Sequence, residues 1–142
     1  MADGMAHERA AIAVTARSLD DYRGMFDLDD DAFTNCSFVD CASGASAFGA
    51  ELRARGGQAW SVDPLYATGL QGVRQRALYN LANCEQWLLA NADVINWQHV
   101  RSPGAYRHAG LNSLEAFGVD FVAHPTWPGS GFTRPSGTET TS

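Results

Sequence analysis

Apolar and polar positions follow several distinct periods along this chain, and each period predicts an element. His7 to Arg17 is alanine-rich and helix-prone. Ser18-Leu19-Asp20-Asp21 reads as a capping box that starts a second helix, with Tyr22, Met25 and Phe26 at i, i+3 and i+4 on one apolar face. The acids of Asp27 to Asp31 then complement the start of a short helix, Asp30 to Thr34. The apolar run Cys36 to Cys41 predicts a first strand buried on both faces. Gly44 to Arg55 predicts a helix with Phe48 and Leu52 on one face beside the small Ala45 and Gly49. Gly56-Gly57 closes it by supplying a positive φ. Gln58 to Val62 predicts a second strand. Strand, helix and strand within about 25 residues imply a right-handed crossover and parallel pairing.

Leu65 to Thr68 reads as a loop. Val73, Ala77, Leu81, Cys84 and Leu88 form a sustained core stripe on a helix from Gly69 to about Asn91. Val94 to Val100 fits either an extended stretch or a helical turn. Ser102-Pro103 supplies an N-cap followed by proline at the first helical position. The helix it starts runs to about Ala123, with Leu111, Leu114, Phe117 and Phe121 as its apolar face. After His124 the periodicity ends. Pro125 to Ser142 is mostly Pro, Gly, Ser and Thr, which predicts a disordered tail. The chain thus divides into a helical lead-in over 1–35, an α/β domain over 36–124 and a tail over 125–142.

Composition narrows the chemistry. A chain of 142 residues suits one domain. Its net charge is −6 and its positive charges are scattered, so no basic stripe is available for a nucleic-acid backbone. An acidic surface equally disfavours anionic membranes, and the apolar stretches are too short to span a bilayer. All ten basic side chains are arginine, which excludes a P-loop, a Schiff base and a lysine general base. Met1 to Ala16 lacks the basic start and apolar block of a secretory signal. The three cysteines match neither a zinc ribbon nor a CxxC pair, and read as reduced thiols of a cytoplasmic protein. Asp27 to Asp31 does not make a calcium loop: Ala32 stands where glycine is needed and Phe38 where a bidentate glutamate is needed. The four histidines are widely spaced, and no metal site is expected.

Most of the chemistry lies in Phe38-Val39-Asp40-Cys41-Ala42-Ser43-Gly44-Ala45-Ser46, a strand that ends in an acid and turns through small residues. Asp63-Pro64 ends the second strand, with Asp63 placed 23 positions after Asp40. In a nucleoside-binding βαβ unit, small residues let the backbone approach a ligand, and the helix start offers free N–H groups. The second acid accepts from ribose hydroxyls. A nicotinamide site wants three glycines for a pyrophosphate, and a carboxylate at Asp40 repels one. The acid suits a ligand with a cationic amino-acid portion. S-adenosylmethionine carries an ammonium, a sulfonium and a ribose, without phosphate.

Val39 to Ser46 resembles the first motif of class I S-adenosylmethionine-dependent methyltransferases, and Ser61-Val62-Asp63-Pro64 resembles their second-strand acid. Ser18 to Phe26 is similar to the helical lead-in of a bacterial subgroup of that fold. The resemblance implies a partial Rossmann-like α/β fold and S-adenosylmethionine as cofactor. The implied cofactor-binding residues are Asp40, Ala42, Gly44, Ser46, Asp63 and Pro64. Asp40 and Gly44 would line the methionine side and Asp63 would bind the ribose. Ala42 and Ser46 stand at the first and third glycine positions of the motif. The family's sheet has seven strands, whereas this sequence offers two, and the resemblance stops at Ala123-His124-Pro125, as an out-of-frame tail would make it stop. No catalytic residue and no methyl acceptor is implied. Two further readings stay open: a non-catalytic remnant or interaction module, and another Rossmann-like nucleoside-binding protein. A two-stranded sheet leaves Phe38, Val39, Trp60 and Val62 without neighbours on one side, which predicts marginal monomer stability or self-association through the missing half.

Overall fold

The computed structural model describes residues 13–124. The expected helix over His7–Arg17 lies mostly outside this range, as does the expected tail. Within it, the chain is a mixed α/β structure, mostly helical, with one small parallel sheet. The order is α1 (Leu19–Phe26), α2 (Asp30–Asn35), β1 (Ser37–Cys41), α3 (Phe48–Ala54), β2 (Gln58–Val62), a 3₁₀ turn (Pro64–Thr68), α4 (Gly69–Ala90), α5 (Trp97–Val100) and α6 (Pro103–Ala123).

Several starts follow the local chemistry read from the sequence. Ser18 and Asp21 close a reciprocal capping box on α1, Asp29 caps α2, and Ser102 caps α6 ahead of Pro103. Gly56 takes φ +83° just beyond α3. The two strands pair in parallel, with Val39 opposite Trp60 and Cys41 opposite Val62. Among the described residues, neither strand pairs with a third.

Other expectations are corrected by packing. β1 is not buried on both faces: Phe38 and Asp40 are half-buried on the side of α3, while Ser37, Val39 and Cys41 are exposed, Val39 at 62%. Phe38 does have neighbours, since it packs on Phe33 and Phe48. On α1 the buried residue is Leu19, with Tyr22 beside it, and Met25 and Phe26 face outward. Cys84 leaves the core stripe of α4 and is exposed. The helix expected from Gly44 begins only at Phe48, because residues 43–47 form a buried turn. Val14–Arg17 is not helical, for its carbonyls serve that turn.

Two apolar clusters flank the turn. One joins Val14, Ala45, Tyr66, Val73, Leu114 and Phe117, with Ala77 and Phe121. The other joins Leu19, Phe33, Phe48, Leu52 and Ala59. An ion pair ties the second cluster to α6. Arg53, nearly buried, binds Asp120 through Nη2 and through Nε at 3.0 Å, and Nη1 donates to the Ala59 carbonyl at 2.6 Å. His124 Nδ1 stands 3.2 Å from the same Asp120 carboxylate. Burial of this kind holds only with full pairing, and here three partners satisfy one guanidinium and one carboxylate.

Candidate functional site

The two strand ends meet at a turn built by side chains from three elements. Beyond β1 the chain passes Ala42 at φ +54° and Gly44 at φ +55°. Ser43 N–H donates to the Val62 carbonyl at 3.2 Å, which carries the parallel pairing one step past the strand. Asp63 begins the 3₁₀ turn as its cap. Its Oδ1 accepts from Leu65 N–H and its Oδ2 from Gly44 N–H, both at 2.9 Å. The Asp63 carboxylate therefore bridges the ends of β1 and β2 as a backbone acceptor.

Asp40 faces the α1 side of the sheet. The Tyr22 hydroxyl donates to its carboxylate at 2.9–3.0 Å, and the Tyr22 ring stacks on Phe48. Burial pushes the Asp40 carboxyl up to about 6, the Tyr22 hydrogen bond opposes that, and the negative charge of Asp63 adds to it. The same burial, with Asp40 close by, pushes the Tyr22 phenol up to about 12. One carboxylate is thus satisfied by backbone amides, and the other is a desolvated acid beside a like charge.

The turn between them is sealed from both sides. From outside, the strap Val14–Arg17 lies along it: Ala45 N–H donates to Thr15 O at 3.1 Å and Ala47 N–H to Arg17 O at 2.8 Å. Asn80 of α4 fixes the strap by donating to Val14 O at 2.9 Å. Within the turn, Phe48 N–H donates to Ser46 Oγ at 3.1 Å. From inside, the Tyr66 hydroxyl donates to Gly44 O at 2.8 Å and accepts from Ser43 Oγ. Tyr66 is 1% exposed and packs on Phe117 and Phe121.

The implied site residues therefore separate. Ala42, Gly44, Asp63 and Pro64 come together at the strand ends, with Ala42 and Pro64 exposed, Asp63 half-buried and Gly44 buried. Ser46 is buried against the strap and Asp40 lies under α1. Of the amides expected to be free at the helix start, those of Ala45, Ser46 and Ala47 are taken by the chain's own carbonyls, that of Gly44 by the Asp63 carboxylate and that of Phe48 by Ser46 Oγ. Tyr66, in the stretch that reads as a loop in the sequence, is core. Tyr22, Asn80 and the Arg53–Asp120 pair carry no sequence signal, because their partners lie 18 to 67 positions away.

Comparison with protein-family models, with curated proteins and with solved structures finds no match for this chain.

Proposed function

We propose that the chain is a Rossmann-like, methyltransferase-like unit that binds S-adenosylmethionine at the C-terminal ends of β1 and β2 and donates its methyl group to an acceptor. The supporting observation is the pair of carboxylates, Asp40 and Asp63, that end two adjacent parallel strands. A raised acid beside a like charge is stabilised by a cation and destabilised by a phosphate. S-adenosylmethionine supplies two positive centres and no phosphate. Each Asp63 oxygen accepts one backbone amide and retains a second acceptor site for a ribose hydroxyl. Methyl transfer is an in-line displacement at the sulfonium methyl, aided chiefly by positioning. The three free, exposed thiols fit a reducing compartment, the cytoplasm.

Calorimetric titration with S-adenosylhomocysteine, and with NAD as the phosphate-bearing comparison, tests this reading. Saturable binding on the order of micromolar, absent with NAD and weakened in Asp63→Asn and Asp40→Asn, is the expected result. No heat with a chain shown to be folded would leave the resemblance without a cofactor.

A second reading has its own observation. The turn's amides are already occupied, and one face of the two-stranded sheet exposes Val39 and Cys41. These features favour a non-catalytic module that pairs through its sheet with a second copy. Sedimentation showing a monomer at all concentrations would remove that reading.

A further inference from the structure

On the side of the strap away from the turn, a cleft of about 790 Å³ opens between the strap and α1 on one wall and the α5–α6 corner on the other. This volume lies within the range of small-molecule sites. Its apolar surface comes from Met25, Leu81, Val100, Ala105 and Ala109, with the Tyr106 ring at the side. Gly110 lets α6 approach α4 at the cleft, because a Cβ there would meet Leu81 Cδ2 at 2.3 Å.

The charged groups lining the cleft are unequally occupied. Asp21 is held by the Ser18 N–H in the capping box, and Asp20 lies 3.8 Å from Arg23. The cations are not matched in this way. Arg17 donates to the Met25 thioether at 3.4 Å, a weak acceptor, and among the described residues no carboxylate lies within ion-pair distance of Arg17 or Arg101. His99 and His108 line the same walls. Among the described residues, the cleft of this chain of net charge −6 thus presents two guanidinium groups with no carboxylate at ion-pair distance.

Arg101 is also held in an unusual backbone. Its φ is 70° and ψ −66°, and Ser102 N–H donates to Val100 O at 3.0 Å, which makes Arg101 the centre of a positive-φ γ-turn. A non-glycine residue there is strained, and such strain clusters at ligand sites. The turn sets Arg101 at the cleft rim.

We propose that this cleft binds a small organic anion, an apolar or aromatic body bearing a carboxylate or phosphate, gripped by Arg17 and Arg101. Guanidinium groups recognise both anions through paired N–H donors, while the apolar walls hold the body. This site is separate from the strand ends, and its test does not depend on S-adenosylmethionine binding.

The full chain is titrated with benzoate, phenyl phosphate and neutral benzyl alcohol at constant ionic strength, followed by ligand-observed NMR and calorimetry. Both anions are expected to bind saturably, and benzyl alcohol at least about tenfold more weakly. Arg17→Gln and Arg101→Gln should each weaken anion binding by about tenfold, whereas Arg74→Gln, on exposed α4 surface, should not. The stronger of the two anions identifies the headgroup. Three outcomes overturn the proposal: no saturable binding of either anion by a chain with a cooperative melt, equal binding of the neutral compound, or anion binding unchanged in both arginine variants.

Discussion

The strap Val14–Arg17 has two sides, and they differ in kind. Toward the turn, its carbonyls accept Ala45 and Ala47 amides, Tyr66 closes the inner side, and Gly44 to Ala47 are buried. Toward α6, Thr15, Ala16 and Arg17 line an open cleft where Arg17 donates to the Met25 sulfur and, among the described residues, has no carboxylate at ion-pair distance. The turn looks like a ligand site in sequence, yet it meets most of its hydrogen-bonding needs internally. The cleft carries no motif, yet it gathers two guanidinium groups that, among the described residues, have no carboxylate at ion-pair distance. Small residues and glycines mark where backbone comes close to something. Whether that is a ligand or another part of the chain depends on what the fold lays against them.

The largest expected effect comes from breaking the sealed side at its anchor. Asp120→Ala leaves Arg53 charged and nearly buried without its carboxylate, so stability should fall by about 3–5 kcal/mol. Urea unfolding measures this, and a change below about 1 kcal/mol would mean the pair is open in solution. Gly44→Val follows. Its backbone has φ +55°, and a Cβ would sit 3.2 Å from Thr15 O and 3.4 Å from Val14 Cγ1. A loss of about 2–4 kcal/mol is expected. An unchanged midpoint would show that the strap does not sit on the turn.

Asp40 gives a pH signature. Its carboxyl rises from an ordinary 3.8 to about 6 in the fold. Between those values the folded chain holds more protons than the unfolded one, so stability falls as pH rises through that window. Asp40→Asn should flatten this slope and exceed the parent at pH 8 by on the order of 1 kcal/mol, allowing for solvent screening. A parallel pH profile for the variant would place the desolvated acid elsewhere. The smallest effect belongs to the open side and has the opposite sign. Arg101→Gly relieves the γ-turn and should raise stability by about 1 kcal/mol while weakening anion binding. A variant both less stable and equally able to bind would sever the link between strain and site.

Much of the local structure was legible. β2 runs over Gln58–Val62 as the pattern predicts, α6 starts at Ser102-Pro103, and Gly56 ends α3 with positive φ. The α4 stripe holds at Val73, Ala77, Leu81 and Leu88. The single helical turn Trp97–Val100 settles a stretch whose pattern fitted two states. The site was legible only in part. Asp40 and Asp63 do end neighbouring strands, but Asp40 turns to Tyr22 and Asp63 to the backbone of Gly44 and Leu65.

By itself the sequence determined several element boundaries, among them the capped starts of α1, α2 and α6 and the span of β2, because caps and apolar periods act over three or four residues. It also determined the acidic balance and the absence of lysine chemistry. Tertiary structure alone decided which acid is desolvated, which amides are taken, and which arginines line the cleft. Those outcomes depend on contacts such as Asn80 with Val14 and Arg53 with Asp120, 66 and 67 positions apart. No local pattern encodes them, because the partner is fixed only when the chain has packed.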